Sequence, residues 1–425
     1  MTLNKPAMRF GALFLIAFAS FPILGAAQTK TSDVSIGSSY AFPSAYLKTD
    51  VPVSIHLPRD YDNDDGRYPV LYLLDFGNDF RFAAPVADFL EASDRVPGLI
   101  VSAIAVDNLS GSPQAMLGFL EKELFPYIEK TYRTHPCRIL YGHSGRSFAT
   151  LFILLNRPDL FYAYICPGLG ISSPPFPGTA DFVALATARL SNLASLPKSL
   201  YFSLGDERPF LPGVNKFMEV LKAKAPRDFE WKFAHMENDD HFSTKLKTLY
   251  EGLEFAFQGL SLPLEVAEKG AGAVKDHYAR LSRRLGYPVE LGQPQTAKMV
   301  DDAIVRMAGY QNRLRLGLAL NKELKEKLGF PGIAEGSFSL IGTFALNEKR
   351  YEEAIELYQA MAEAYAQSGS AWNGLGEAHE KLSRLDQALA DFEKACELAK
   401  ASNSPRLPAF QANLERVRKA LKKSP

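Results

Sequence analysis

The stretch that most constrains the fold is RILYGHSGRSFA, residues 138–149. A short apolar run leads into the letters GHSG, and the apolar run 148–155 that follows is typical of a buried helix. A serine on such a strand-to-helix turn lifts its hydroxyl out of the backbone, and the next amide lies at a helix N-terminus, where it can bind developing negative charge. The pattern predicts a nucleophile at Ser144 and an oxyanion donor at the Gly145 amide.

One position departs from the usual form of this turn. The pattern G-x-S-x-G asks for glycine where the chain has Arg146. Small residues two places before and after the serine let strand and helix approach closely, so a large cation there must point outward or distort the turn. Arg146 is either a passive departure or a substrate-proximal cation that pairs with an anionic group, as arginine commonly does.

Length and charge set the domain count and exclude some partners. A chain of 425 residues is too long for one ordinary core, so two domains are expected. Strand signals disappear after residue 262, which predicts one domain over 28–262 and an all-helical domain over 263–425. Lys+Arg and Asp+Glu both number 48, so the composition suggests no nucleic-acid partner.

The N-terminus has the pattern of a secretory signal peptide. Lys5 and Arg9 precede the apolar segment 11–24, which ends in small residues, and this predicts a leader over 1–27 cleaved after Ala27. The apolar segment is shorter than the roughly 20 residues that span a bilayer. We therefore expect a secreted or periplasmic protein with no membrane anchor after cleavage.

The cysteine count leaves the thiol chemistry open. Cys137, Cys166 and Cys396 are an odd number for an oxidising compartment, so one pair at most could form a disulfide. Three buried free thiols are an equally good interpretation.

The first domain alternates strands and helices. Runs with the composition of strands are residues 51–58, 69–75, 99–106, 139–141, 161–165, 199–204 and 229–234. Helical spacing appears between them, for example over 84–92 and 116–132. This alternation predicts an α/β fold with a mostly parallel sheet and helices on both faces, and chemistry collects at the carboxyl ends of such strands.

Candidate catalytic side chains follow three of these strands in a telling order. Ser144 follows the strand at 139–141. Asp206 and Glu207 follow the strand at 199–204, after the letters SLYFSLG. His241 follows the strand at 229–234, after the letters FEWKFAHMENDD. The order serine, acid, histidine is that of the α/β-hydrolases. Asp206 is the first choice for the acid because it directly follows Gly205 at the strand end, and Glu207 is the alternative.

Besides the order of the candidate residues, four longer stretches of the sequence resemble a known family. They are RYPVLYLLD, FLEKELFPYIEKTYRTHPCRILYGHSGRS, NRPDLFYAYICPGLG and DDHFSTKLKTLYEGLEFAF. Over roughly residues 40–262 the chain resembles the esterase D and ferri-enterobactin esterase-like family of secreted α/β-hydrolases. The resemblance implies that Ser144 is the nucleophile, that His241 is the general base, and that one oxyanion donor lies in the loop after PVLYLLD, at Gly77 or its neighbour Phe76.

The resemblance has one further departure. The link DNLSGSPQAM after Val106 is short where related esterases carry a longer basic insertion, so substrate preference does not carry over. Neither metal-ligand spacing nor a phosphate-cradling glycine loop is present in the sequence, so we expect no cofactor and no metal.

The second half contains an internal repeat of 34 residues. Six positions match across the repeat: Trp372, Leu375, Gly376, Ala388, Phe392 and Ala395 correspond to Phe338, Ile341, Gly342, Ala354, Tyr358 and Met361. This is the tetratricopeptide pattern, clear over about 335–402. Helical stretches at 266–285, 297–328 and 409–421 should complete or cap the array.

Two functions follow from these observations. The first is an exported serine hydrolase that cleaves a carboxylic ester through an acyl-enzyme, with a small-molecule or acyl ester as substrate. The alternative is a non-catalytic tetratricopeptide scaffold or binding protein that carries a degenerate hydrolase domain. In either case the repeats could bind a protein or peptide partner, or could only pack on the hydrolase and shape its entrance.

Overall fold

The computed structural model of the chain describes residues 35–63, 65–75, 78–105, 113–175 and 180–422. The predicted leader, residues 1–27, lies outside the described residues. From Ile36 onward the described residues belong to one compact unit. Across these ranges, no helix combines the length and the apolar composition needed to cross a membrane.

An eight-stranded sheet organises the first half of the chain. Its strands are β1 Ser38–Ser44, β2 Thr49–His56, β3 Tyr68–Asp75, β4 Ile100–Ala105, β5 Thr134–Gly142, β6 Ala163–Cys166, β7 Ser199–Leu204 and β8 Glu230–His235. They lie in the order β1-β2-β4-β3-β5-β6-β7-β8. β1 pairs with β2 and β2 pairs with β4 in antiparallel fashion. The other neighbouring pairs, which join β4, β3, β5, β6, β7 and β8 in that order, are parallel.

The helices that cover the sheet are α1 Phe80–Ala92, α2 Pro113–Phe119, α3 Phe125–Thr131, α4 Gly145–Asn156, α5 Phe182–Leu190, α6 Leu211–Lys224 and α7 Thr244–Ala256. A π-helical turn at Leu120–Leu124 joins α2 to α3. Alternate residues of β3 belong to two different apolar clusters, Leu71 and Leu73 to one and Tyr72 and Leu74 to the other. Both faces of the sheet are therefore buried, which confirms the predicted α/β architecture.

Strand β1 escaped the sequence analysis because it is an exposed edge. Five of its seven residues are exposed, so it has no apolar alternation to detect. It pairs with β2 from Ser38 opposite Ile55 to Ser44 opposite Thr49. Pro43 is tolerated because an edge strand leaves one row of amides without ladder partners.

The register of the parallel strands places the candidate side chains at one edge of the sheet. β5 ends at Gly142, two residues before Ser144, and β8 ends at His235, six residues before His241. β6 and β7 lie between them, with Leu204 of β7 opposite His235. The loops that follow β5, β7 and β8 therefore leave the same edge.

The second half is helical, as predicted. Its helices are α8 Leu264–Ala267, α9 Ala271–Leu285, α10 Pro294–Val305, α11 Leu314–Leu328, α12 Glu335–Asn347, α13 Tyr351–Ala364, α14 Gly369–Lys381, α15 Leu385–Ala401 and α16 Leu407–Leu421. The stretch 297–328, expected as one unit, contains two helices. A turn with a positive φ of 56° at Asn312 separates them.

The 34-residue repeat corresponds to two helix pairs, α12 with α13 and α14 with α15. A Cβ atom on Gly342 would lie 2.3 Å from the Tyr358 ring, and one on Gly376 would lie 2.7 Å from the Phe392 ring. These glycines, 34 residues apart, let an aromatic residue of the second helix pack directly on the first.

The two halves share one hydrophobic core. A single buried cluster runs from Leu71 and Ile165 of the sheet to Phe338 and Ala378 of the repeats. Polar contacts accompany it: the Tyr278 hydroxyl donates to the Leu260 carbonyl at 3.2 Å. The predicted boundary at 262/263 therefore falls inside continuous packing.

A chain ending at Leu262 should be unable to unfold cooperatively, because it loses the buried partners that α8–α14 supply. A chain ending at Ser404 is the control, since it lacks only α16, which packs on separate small clusters. Thermal melts followed by circular dichroism compare them. A soluble monomer ending at 262 with the melting temperature of the full chain would contradict this expectation.

Candidate active site

Ser144 occupies a strained turn between β5 and α4. Its φ of 58° and ψ of −121° are rarely adopted by a residue with a side chain. Close packing holds this turn in place, because a Cβ atom on Gly142 would lie 2.7 Å from the Arg146 carbonyl oxygen and from the Thr150 hydroxyl. The Ser147 hydroxyl lies 2.5 Å from the Gly142 carbonyl and 2.6 Å from the Pro167 carbonyl.

Three candidate side chains meet beyond the strand ends. The Ser144 Oγ lies 2.8 Å from His241 Nε2, and His241 Nδ1 lies 2.8 Å from Glu207 Oε1. Because a carboxylate only accepts, Nδ1 carries the proton that is donated to Glu207, which leaves Nε2 to accept from the hydroxyl. This chain of hydrogen bonds is the geometry by which an imidazole removes a proton from serine.

The acid that faces the histidine is Glu207 and not Asp206, the first choice from the sequence. The backbone amide of Asp206 donates to the Asp239 carbonyl at 2.8 Å, and this bond ties the acid loop to the histidine loop. The Asp206 side chain points away, is 55% exposed and pairs with Arg208 at 3.1 Å. Glu207 is 17% exposed. Its side chain is one methylene group longer than that of aspartate, and its carboxylate contacts the imidazole.

His143 and Gly168 hold His241 in position, and the sequence analysis missed this role. The His143 Nε2 donates to the His241 carbonyl oxygen at 2.8 Å. Burial lowers the pKa of His143 to about 4, so the ring is neutral at physiological pH. Gly168, with a φ of +61°, lies where a Cβ atom would be 3.1 Å from the His241 ring and 3.2 Å from the His143 ring. The letters CPGLG after β6 were the available signal.

Arg146 is buried, so of the two alternatives predicted for this side chain, that it points outward or distorts the turn, the structure does not show the first. It is 9% exposed. Helix α4 begins at Gly145, so residues 145, 148, 149 and 152 share the face toward Ser144, and position 146 is rotated about 100° from position 145. Among the described residues that line the cavity beside Ser144, Arg146 is absent.

The surroundings of Arg146 are ionic. Burial raises the pKa of the Asp79 carboxyl, while its ion pair with Lys245 at 2.6 Å and the charge of Arg146 lower it. Asp75 accepts from the Asp79 amide at 2.8 Å. These contacts connect the start of α1 to the start of α7, next to the histidine loop.

The oxyanion donors are described only in part. Gly145 is the first residue of α4, so its amide has no carbonyl partner within the helix. Gly77 and Phe76, the predicted second donors, lie outside the described residues, as does most of the short link at 107–115.

A cavity of about 400 Å³ opens beside Ser144. Its lining consists of Ser144, Gly145, Phe148, Ala149, Phe152, Gly168, Gly170, Ile171, Ser172, Ala180, Phe182, Glu207, Phe210 and His241. A substrate in this cavity would contact the hydroxyl and the imidazole directly. Within the described ranges, no group of three or more His, Cys, Asp or Glu is arranged to hold a metal ion.

The three cysteines are unbridged, and two further histidines make structural contacts. Cys137, Cys166 and Cys396 are free thiols. The two ring nitrogens of His56 contact the Ile36 carbonyl at 2.8 Å and Asp88 at 2.9 Å. The His135 ring packs on Tyr287, with ring centroids 4.0 Å apart.

Two models of known protein families match parts of this chain. Residues 44–244 match the family model described as "Putative esterase", and residues 369–402 match a tetratricopeptide repeat model. Over residues 44–244 the chain is similar to this esterase family. The resemblance seen in the sequence is confirmed, and the family match supports a hydrolase of the esterase type with tetratricopeptide repeats on its C-terminal side.

Solved structures resemble parts of this chain. The IroE-like serine hydrolase from Shewanella oneidensis aligns with a TM-score of 0.56 at 21% identity, over 68% of this chain and 99% of that chain. A protein from Capnocytophaga ochracea aligns with a TM-score of 0.49 at 14% identity, over 89% and 99%. The enterobactin esterase from Shigella flexneri aligns with a TM-score of 0.44 at 14% identity, over 54% and 61%. The first likeness shows a shared fold. No curated protein sequence matches the chain.

Replacing Gly168 with alanine should lower kcat/KM for an ester about 10²-fold, because the new methyl group displaces the His241 ring from Ser144. Gly272→Ala is the control, since a Cβ atom there meets nothing within 4 Å. Steady-state kinetics and thermal melts measure both variants. A Gly168→Ala variant with wild-type kcat/KM would show that this packing does not position the imidazole.

Proposed function

We propose that the chain is an exported serine hydrolase that cleaves a carboxylic ester through an acyl-enzyme on Ser144. The observation that carries the proposal is the continuous path from Glu207 through His241 to the Ser144 hydroxyl, with both contacts at 2.8 Å. His241 acts as the general base, and Glu207 fixes its tautomer and stabilises the imidazolium.

In the acylation step, the Ser144 Oγ attacks the ester carbonyl while His241 Nε2 takes the hydroxyl proton. The oxygen of the tetrahedral intermediate accepts from the Gly145 amide at the start of α4. As the intermediate collapses, the bond to the alcohol oxygen breaks, and His241 returns its proton to the departing alcohol. The acyl group remains as an ester of Ser144.

Water completes the reaction along the same path. His241 removes a proton from a water molecule, and the resulting hydroxide attacks the acyl carbon. The bond to the Ser144 Oγ breaks, the proton returns to that oxygen, and the carboxylic acid leaves. Every proton is moved by a residue of this chain, so the proposed reaction needs only the ester and water.

Export and the role of the repeats belong to the same proposal. The leader pattern at 1–27 supports a secreted or periplasmic protein. The core that α8–α14 share with the sheet supports a structural role for the helical region, and a protein or peptide partner at the repeats is compatible with that role. A scaffold with a decayed hydrolase is the less favoured alternative, because decay would have no reason to retain three mutually oriented side chains.

A fluorophosphonate probe tests the nucleophile. The purified full chain should be labelled at Ser144 in a time-dependent manner, because the imidazole activates this hydroxyl. The Ser144→Ala variant should show no labelling. Ser147→Ala controls for a neighbouring serine whose hydroxyl is hydrogen-bonded to backbone carbonyls. Absence of labelling in the wild-type chain, with the fold intact, would remove the enzymatic proposal.

A second test asks which carboxylate is the acid, and it compares one substitution at Glu207 with one at Asp206. Glu207→Gln should lower kcat by roughly 10⁴-fold, because an amide favours the wrong imidazole tautomer and cannot stabilise the imidazolium. Asp206→Asn should change kcat by no more than about threefold, because its exposed pair with Arg208 contributes little. Pre-steady-state and steady-state kinetics on one ester separate the two. The opposite ranking would make Asp206 the acid.

A further inference from the structure

The wall of the cavity beside Ser144 is built by the helix that begins at the nucleophile. Because α4 starts at Gly145, positions 148, 149 and 152 repeat at helical spacing on the face toward the cavity. These positions are Phe148, Ala149 and Phe152, so the surface nearest to the hydroxyl is apolar for about 6 Å along the helix.

The rest of the lining includes further apolar side chains. Phe182 of α5 stacks on Phe148, with centroids 5.4 Å apart and ring planes 16° apart. The Phe210 ring packs directly on Gly170, where a Cβ atom would lie 2.9 Å from it. Ile171, which is 2% exposed, also lines the cavity. Four phenylalanines and an isoleucine thus surround the space beside Ser144.

The described lining offers no cation to an anionic substrate. Lysine and arginine, Arg146 included, are absent from the described residues that line the cavity. Glu207 is the carboxylate at the cavity, and its Oε1 is engaged by His241. Transferring a charged group into apolar surroundings without a partner is unfavourable.

We infer that the ester cleaved at Ser144 carries an uncharged aryl or medium-chain alkyl group, which occupies this phenylalanine-lined cavity. The inference rests on the proposed function and specifies its substrate class. A volume of about 400 Å³ lies within the range of pockets that bind small organic molecules. An anionic group would lack a counter-charge there, and a cationic group would lose its hydration among the apolar walls.

Chain-length series on the purified full chain test the inference. One series varies the acyl group of 4-nitrophenyl esters from acetate to octanoate, and the other varies the alcohol of alkyl acetates. In at least one series kcat/KM should rise roughly three- to fourfold for each added methylene group until the cavity is filled. Esters of the same length that end in a carboxylate or an ammonium group should be at least tenfold poorer.

Two variants locate the effect in the cavity. Ala149→Phe fills it and should lower kcat/KM for the hexanoate at least tenfold more than kcat/KM for the acetate. Phe152→Ala enlarges it and should move the best substrate to a longer chain. Ala188→Phe is the matched control, because Ala188 is exposed on α5 and does not line the cavity.

The outcomes separate the two proposals. Hydrolysis of charged and apolar esters with equal kcat/KM, or flat length dependence in both series, would overturn the inference and leave the serine hydrolase standing. An unchanged length preference in Phe152→Ala together with a uniform loss in Ala149→Phe would also overturn it. No hydrolysis of any ester and no fluorophosphonate labelling would instead remove the proposed function.

Discussion

The hydrogen bond between Ser144 and His241 is the interaction on which the rest of the site depends. It joins residues 97 positions apart in the chain, from loops that leave strands β5 and β8. The bond forms because two intervening parallel strands bring both loops to one edge, and because the loops are tied together there. The Asp206 amide bonds to the Asp239 carbonyl, and the His143 ring bonds to the His241 carbonyl.

The neutral ring of His143 helps to hold the imidazole of His241, and its lack of charge affects the electrostatics of the site. His143 lies with its ring centroid 4.6 Å from that of His241, so a positive charge on it would oppose the imidazolium of the proposed mechanism. Burial keeps the pKa of His143 at about 4 and removes that charge. The cations nearby, Lys245 and Arg146, lower the pKa of His143 as well as that of Asp79. The geometry therefore leaves Glu207 as the charged group that contacts His241 Nδ1.

The helical half of the chain supports the site through the sheet. One buried cluster extends from Leu71 to Ala378, and α7, which follows the histidine loop, contributes Leu249 and Leu253 to it. The tetratricopeptide pairs thus continue the core that fixes the last helix of the esterase region. Apolar cavity walls on the opposite face of the sheet come from α4 and α5, which belong to the other cluster.

The sequence by itself determined the fold class, the helical repeats and the positions of Ser144 and His241, because burial periodicity and strand-end order are local patterns. It missed β1, whose exposed residues carry no alternation, and it ranked Asp206 above Glu207. Only the tertiary structure decided which carboxylate reaches the imidazole, that Arg146 does not line the cavity, and that Gly168 and His143 hold His241. Each of these depends on distances between loops that are far apart in the chain, and no local pattern of residues encodes such distances.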